Sequence, residues 1–98
     1  MRETICINKE IKKLVPEFIR IVRHDVQRAK DSLNKGDFQT VGIVAHRLQG
    51  DGASYGFNRL SDLGAALKKA AQARDQTTAL KYFNYIEDYF DNVDVIFE

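Results

Sequence analysis

The sequence predicts an all-α protein: an antiparallel up-down four-helix bundle with a short preceding N-terminal helix. Apolar residues recur at alternating three- and four-residue spacing in four long segments, the pattern of helices that each bury one face. Connections of about two or three residues separate these segments, so consecutive helices must be antiparallel neighbours. No segment shows a strand pattern, and 98 residues are enough for one core only. We therefore expect a single domain over residues 1–98 without β-structure.

The first two helices are placed by Asn8 and Pro16. Asn8 can cap a short helix that reaches about Leu14, because an asparagine side chain accepts from backbone N–H groups of a first turn. Pro16 is tolerated in the first turn of a new helix, where no backbone donor is lost. The apolar stripe of this long helix consists of Val15, Phe18, Ile19, Val22, Val26, Ala29 and Leu33.

A second long helix is predicted from about Phe38 to Tyr55. Gly36 can take the left-handed conformation that ends the preceding helix, and Asp37 can cap this one. The apolar stripe of the second helix consists of Phe38, Val41, Ala45, Leu48, Gly52 and Tyr55.

Asn58 and Asp75 are the predicted caps of the last two helices. The inner side of the third helix consists of Leu60, Leu63, Gly64, Leu67, Ala70, Ala71 and Arg74. The apolar stripe of the fourth helix consists of Ala79, Phe83, Ile86, Phe90, Val93 and Phe97. We expect the fourth helix to include that whole stripe.

Composition and charge disfavour several classes of protein. Hydrophobic residues make up 44% of the chain and charged residues 30%, as in a soluble globular domain. No apolar run approaches the roughly twenty residues that span a bilayer, so no membrane partner is expected. The net charge is +1, with acidic residues between the basic ones, which disfavours nucleic-acid binding. The single Cys6 argues against a disulfide framework and fits a cytoplasmic protein, and one core gives no need for a dimer, so we expect a monomer.

His46 lies at the edge of the apolar stripe of the second helix, about 100° around from Ala45. Its neighbours along its own row of the helix are Gly42 at i−4, Gly50 at i+4 and Ala53 at i+7. A glycine inside a helix costs roughly 1 kcal/mol relative to alanine. Two of them beside one histidine therefore predict a face that is kept open for a bulky partner.

Other chemistries fit the sequence poorly. The glycine-rich run from Gly50 to Gly56 matches neither a dinucleotide-binding pattern nor a P-loop. No histidine or glutamate pair has the spacing of a metal site in a bundle, so no metal is expected. His24-Asp25 would need further histidines to form a metal-dependent phosphohydrolase site, and the chain has two histidines in total. We interpret His24 as a surface residue.

The run that includes His46, Leu48, Gly50, Gly56 and Phe57 resembles the signature of histidine-containing phosphotransfer (HPt) domains. That signature is roughly Ala-His-x-Leu-Lys-Gly, and the likeness extends over the chain in length and in helix placement. The resemblance implies that His46 accepts a phosphoryl group from a receiver-domain aspartyl phosphate and passes it to another receiver in two-component signalling. It implies a phosphocarrier more than an enzyme, with no cofactor of its own and with a divalent metal such as Mg²⁺ supplied by the receiver. A hybrid histidine kinase is a further implied partner.

One position departs from the family signature, because Gln49 stands where the family usually has lysine. Gln49 can donate an amide hydrogen bond to a phosphate oxygen, but it brings no positive charge. The predicted neighbours of the phosphate are Gln49, Gly50, Arg47, Lys68 and Lys69. The predicted docking face consists of Gly42, Ile43 and Ala53.

Two other functions stay open. A binding module with the same fold would dock on a receiver and carry no phosphate, and Gln49 in place of lysine is the feature that keeps this alternative. The dimerisation helix pair of a histidine kinase normally has an acidic residue directly after the histidine and a proline a few positions on. Arg47 and the lack of proline beyond Pro16 disagree with that pattern. The sequence does not specify the kinase, the receiver or the direction of phosphoryl flow.

Overall fold

Four long helices are present in residues 3–98, which the computed structural model describes; Met1 and Arg2, the start of the predicted domain, lie outside the described residues. The helices are α1 (Val15–Asn34), α2 (Phe38–Tyr55), α3 (Asn58–Gln72) and α4 (Gln76–Asn92). α1 packs against α2 and α4, and α3 packs against the same two helices. The predicted helical bundle is therefore confirmed, and α2 has the predicted bounds.

The two ends of the described chain form a small parallel sheet that the sequence pattern does not predict. The strands are β1 (Glu3–Ile7) and β2 (Val93–Phe97). Ile5 lies opposite Val95 in this pair. Beyond the strands, the backbone N–H of Lys9 donates to the carbonyl oxygen of Glu98 at 2.9 Å. The expectation of a chain without β-structure is wrong for these two segments.

The sheet corrects two predicted helices. α4 ends where β2 begins rather than continuing to Phe97. Val93 and Phe97 fit a strand as well as a helix, because residues 93, 95 and 97 alternate with period two, and β1 supplies the partner strand. At the other end a strand comes first, and Lys9–Leu14 forms a 3-10 helix in place of the expected N-terminal helix. Asn8 does act as a cap, since its Oδ1 accepts from the backbone N–H of Glu10 at 2.9 Å.

Two aspartates cap helices as predicted. At the start of α2, the carboxylate of Asp37 accepts from the backbone N–H of Thr40 at 3.1 Å and from its hydroxyl at 2.6 Å. Asp75 makes the same pair of bonds with Thr78 at the start of α4, at 3.1 and 2.7 Å. The hydrogen bond from the threonine hydroxyl is the larger cause of a lowered pKa, and the bond from the threonine backbone N–H is the second. Together they lower the pKa of each aspartate below its ordinary value. Gly36 ends the preceding helix in the left-handed conformation, with φ of 75°.

The predicted cap of α3 is wrong. Asn58 is the first residue of that helix, and Phe57 holds the cap position without a side-chain hydrogen bond. The ring of Phe57 is fully buried, and its backbone N–H donates to the carbonyl oxygen of Gly52 at 2.8 Å. Burial of this ring fixes the connection between α2 and α3, so the helix begins directly after it.

α2 and α3 approach each other closely at two glycines. A Cβ atom added to Gly52 would lie 2.7 Å from the backbone nitrogen of Ser61. One added to Gly64 would lie 2.7 Å from the backbone nitrogen of Gln49 and 3.0 Å from the carbonyl oxygen of Ala45. Because these neighbours are backbone atoms in a packed interior, they cannot move aside as a flexible side chain would. The two helix backbones are therefore almost in contact.

Candidate functional site

His46 is exposed in the middle of α2. Its ring nitrogen Nδ1 is 3.3 Å from the Nζ atom of Lys68 on α3, at the long end of hydrogen-bonding distance. The close helix crossing accounts for this contact. Gly64 packs against the backbone of Ala45 and Gln49, which flank the histidine, and Lys68 follows Gly64 by about one helical turn. Of the predicted basic neighbours, Lys68 is thus placed against the imidazole.

The two glycines in the row of His46 are open. A Cβ atom added to Gly42 would make one ordinary contact, at 3.9 Å from the Cβ of Ala71, and one added to Gly50 would meet nothing within 4 Å. The described part of the chain therefore has room for a side chain at both positions. Packing does not require either glycine, in agreement with the predicted open face.

A groove of about 540 Å³ opens beside His46 on the face formed by α2 and α3. Its lining residues are Phe38, Gln39, Gly42, Ile43, His46, Lys68, Ala71, Gln72 and Arg74. Ile43 is 54% exposed there, although isoleucine is among the residues most often buried. The guanidinium carbon of Arg74 lies 4.9 Å from the centre of the Phe38 ring, a cation–π arrangement. The groove thus combines apolar contact area with the positive charges of Lys68 and Arg74.

The sequence pattern assigns Arg74 to the inner side of α3, and the structure corrects this. α3 ends at Gln72, and Arg74 is exposed with a left-handed backbone at φ of 55°. Asp75, the predicted cap of the fourth helix, indicates this turn in the sequence. A cap immediately after Arg74 leaves it in the connection between two helices, where its side chain reaches the groove.

The other predicted site residues lie outside the groove. Arg47 pairs with Asp25 of α1, with 3.2 Å between Nη1 and Oδ2, so its charge is engaged on another helix. Gln49 is half-buried, with its backbone packed against α3. Lys69 and Ala53 are exposed, and neither lines the groove.

The described side chains offer the chemistry of a nucleophile. An exposed imidazole has a ring nitrogen lone pair near neutral pH, and Lys68 places a positive charge beside it. Within residues 3–98 no group of three or more histidine, cysteine or carboxylate side chains is arranged to hold a metal ion. None of the helices described above is both long and apolar enough to cross a membrane.

A known protein family matches the chain over most of its length. The family model described as Hpt domain matches residues 13–95, a range that includes all four helices and His46. Neither the curated proteins nor the solved structures gave a match. The chain therefore belongs to the Hpt domain family, whose members are helical phosphotransfer modules of two-component signalling that interact with response-regulator receiver domains.

Proposed function

We propose that the protein is a phosphorelay intermediate in which His46 accepts a phosphoryl group from a receiver-domain aspartyl phosphate and passes it to another receiver. The observation that carries this proposal is an exposed His46 whose ring lies 3.3 Å from Lys68 Nζ, in a chain of the Hpt family. In this role the protein is a phosphocarrier rather than an enzyme with its own turnover.

In the transfer step this chain must supply a nucleophile and a positive charge. A ring nitrogen lone pair attacks phosphorus in line with the aspartyl oxygen, so that an N–P bond forms while the O–P bond breaks. The electron pair of the broken bond stays on the receiver's carboxylate. Because the transition state is loose and its charge is spread over the equatorial oxygens, catalysis consists mostly of positioning and electrostatics. A divalent metal such as Mg²⁺ would belong to the receiver.

We assign to Lys68 the charge that the family signature places at position 49. Gln49 is neutral, and Arg47 is already paired with Asp25. Lys68 contacts the imidazole itself, and it makes no ion pair with the carboxylates of residues 3–98. A phosphoryl group on His46 adds close to two negative charges, about −1.5 to −2 at neutral pH for a phosphorylated side chain, and this ammonium group would stabilise them.

The open side of α2 supports docking of a receiver. Gly50 has no neighbour within 4 Å of an added Cβ atom, and Gly42 lines the groove with Ile43. Bare backbone lets a partner approach the imidazole closely, and the exposed Ile43 adds an apolar contact. Ala53 continues the same row of small residues along α2.

The antiparallel up-down order of the helices is part of this proposal. Short connections favour antiparallel neighbours. The backbone hydrogen bond between Lys9 and Glu98 brings the residues before α1 next to those after α4. Four helices that alternate in direction would place the start of the first and the end of the last at the same end of the bundle. We further propose that residues 1–98 act as one domain and as a monomer.

The test mixes the purified protein with a receiver carrying ³²P on its aspartate and follows label onto this chain. His46→Gln is the test variant, and His24→Gln is the matched control, because His24 is the other histidine and is also exposed. We expect label on the wild type and on His24→Gln, none on His46→Gln, and a phosphate that is stable in base and lost in acid.

Two outcomes would contradict the proposal. Label on a serine or an aspartate would place the acceptor elsewhere in the chain. Binding of receivers that survives His46→Ala, without transfer from any of them, would instead support a receiver-binding module that carries no phosphate.

A further inference from the structure

Three helices in residues 3–98 are followed by a residue with a left-handed backbone, and two of those residues are glycines. Gly36 after α1 has φ of 75°, and Gly56 after α2 has φ of 87°. The third residue, after α3, is Arg74 with φ of 55°. This conformation is disfavoured for a residue that has a Cβ atom, whereas glycine adopts it readily. The backbone at this position therefore favours glycine over arginine.

The turn at Arg74 uses the backbone of this residue and not its side chain. The backbone N–H of Arg74 donates to the carbonyl oxygen of Ala71 at 3.0 Å, and that of Asp75 donates to the carbonyl oxygen of Ala70 at 3.0 Å. These are the two hydrogen bonds of a helix end with a left-handed residue, usually glycine, in its middle. Glycine would make the same bonds, so the reason for an arginine must lie in its side chain.

The guanidinium group of Arg74 lies over the ring of Phe38 at one end of the groove, with 4.9 Å from its carbon to the ring centre. It makes no ion pair with a carboxylate of residues 3–98. The carboxylates next to these two residues in the sequence, Asp37 and Asp75, instead accept from the threonines that they cap. The guanidinium is therefore a positive charge without a carboxylate partner in the described part of the chain.

The groove carries a positive charge at each end and no negative charge between them. Lys68 is beside His46 at one end, and Arg74 is over Phe38 at the other. None of the described residues that line the groove has a carboxylate. Phe38 precedes His46 by eight residues in the same helix, so the two ends are about 12 Å apart along α2. The exposed Ile43 lies between them. These charges are complementary to a partner surface that has an apolar contact and a carboxylate beyond it.

We propose that Arg74 is a specificity-determining residue that pairs with a carboxylate on the docked receiver, an inference that rests on the proposed function. When the aspartyl phosphate of the receiver is at His46, the receiver surface beside it covers the groove. The carboxylate would therefore lie about 12 Å from the phosphorylated aspartate. The planar guanidinium suits a carboxylate because it can donate two parallel hydrogen bonds, and stacking on Phe38 orients it in advance. A receiver with a basic residue at that place is disfavoured by repulsion.

The first experiment measures how the rate of ³²P transfer from a receiver depends on the concentration of that receiver. Arg74→Gln is the test variant. Arg28→Gln is the matched control, because it removes the same charge from an exposed arginine of α1 outside the groove. We expect Arg74→Gln to raise the half-saturating receiver concentration by about tenfold, the effect of losing one charged hydrogen bond. Arg28→Gln should leave it unchanged. The rate at saturation should change less in Arg74→Gln, because the groove end is about 12 Å from His46.

A glycine variant separates docking from folding. Arg74→Gly keeps the turn in a residue that prefers it, so its urea midpoint should be at or above that of the wild type, while its docking should be as weak as that of Arg74→Gln. Phosphoramidate, a small donor that phosphorylates histidine without a docking partner, checks His46 in each variant. A lower urea midpoint for Arg74→Gly would show that the arginine serves the fold, and slow phosphoramidate labelling would show that it acts on the imidazole. Either result would overturn the inference.

A charge exchange tests the identity of the partner group. Arg74→Glu should dock more weakly than Arg74→Gln on the same receiver. Changing one receiver carboxylate to lysine, among those about 12 Å from its phosphorylated aspartate, should restore docking of Arg74→Glu and weaken that of the wild type. Rescue by none of these receiver variants, or an unchanged half-saturating concentration for Arg74→Gln, would overturn the role of Arg74.

The failure of this inference can be distinguished from the failure of the phosphorelay. Calorimetric titration of an unphosphorylated receiver into the protein measures docking without any transfer. Weaker binding by Arg74→Gln, together with no transfer from any receiver to the wild type, counts against the phosphorelay alone. Transfer to His46 together with equal binding by the wild type and Arg74→Gln counts against the role of Arg74 alone.

Discussion

Two pairs of glycines on α2 and α3 differ in what surrounds them. A Cβ atom added to Gly52 or Gly64 would lie 2.7 Å from a backbone nitrogen of the facing helix. A Cβ atom added to Gly42 would make an ordinary contact at 3.9 Å, and one added to Gly50 would make none within 4 Å. Packing of the bundle therefore explains the first pair and leaves the second pair unexplained.

The difference separates what the fold needs from what a partner needs. Each glycine inside a helix costs roughly 1 kcal/mol relative to alanine. At Gly64 the close approach of two backbones offsets that cost. At Gly42 and Gly50 nothing in the described residues offsets it, and both flank the exposed His46. Access for a partner accounts for the open pair, whereas close packing accounts for the buried pair.

The largest effect is expected for Gly64→Ala. The added methyl group would press on the backbone of Gln49 and Ala45, so α2 and α3 must separate. We expect the free energy of unfolding to fall by about 3 kcal/mol, at the upper end of the usual cost of overpacking, as measured by urea denaturation.

The same substitution at an open position, Gly50→Ala, is the matched control for Gly64→Ala. It should not destabilise the protein. If the free energy of unfolding instead falls by less than about 0.5 kcal/mol for Gly64→Ala, the effect is within the range of ordinary surface substitutions. That result would mean that α2 and α3 are not as tightly packed as the distances indicate. The comparison between the two pairs of glycines would then fail.

The second effect concerns Gly50 and separates folding from docking. Gly50→Ala should raise the free energy of unfolding by up to about 1 kcal/mol. Gly50→Leu should keep at least the stability of the wild type but slow transfer from a receiver by about tenfold or more, because its side chain would stand one turn from His46. Stopped-flow transfer and urea denaturation on the same samples measure both quantities.

Phosphoramidate provides the control for Gly50→Leu. This small donor needs no docking surface, so it should phosphorylate His46 in the variant about as fast as in the wild type. Slow labelling by both donors would show that the leucine disturbs the imidazole itself. Unchanged transfer from the receiver would show that the open face is not where the receiver docks.

The parts of the fold that the sequence predicted depend on local chemistry. Gly36 and Asp37 end one helix and begin the next through their own backbone and side-chain preferences, so the start of α2 followed from residues next to each other. The strands depend on a partner from the other end of the chain. The spacing of Val93 and Phe97 fits the period of a helix as well as that of a strand. They form a strand because β1 is there to pair with them.

The candidate site, like the fold, was predictable where it depends on residues close together in the sequence. His46 was identified from glycines in its own helix and from a family signature that lies within α2 and the residues directly after it. The contact with Lys68 was not distinguishable from one with Arg47 or Lys69, because it depends on where α3 crosses α2. Gly64 is a small residue on the predicted inner side of α3, which allows a close approach of helices. Which side chain that crossing brings to His46 is visible only when the two backbones are placed together.

The smallest effect concerns two caps with the same geometry on helices of different composition. Asp37 begins α2, which contains three glycines, and Asp75 begins α4, which contains none. Hydrogen bonds from threonine lower the pKa of both carboxyls, so each stabilises the folded protein when ionised. That contribution is complete above the ordinary aspartate pKa of about 3.9, and it is lost as the pH falls through the lower pKa of the folded state.

Acid should therefore loosen the start of α2 more than the start of α4, because a helix with glycines has less intrinsic stability and depends more on its cap. An NMR titration downward from about pH 6 to about pH 2, a range that passes through the ordinary aspartate pKa of about 3.9 and well below it, can follow the amides of the first turns. Asp37→Asn keeps a capping side chain that does not titrate, so it should remove the response of α2 and leave α4 unchanged; Asp75→Asn is the reverse control. If α4 responds as strongly as α2 in the wild type, the glycines of α2 carry no measurable cost. The argument that Gly42 and Gly50 are kept for access would then lose its energetic basis.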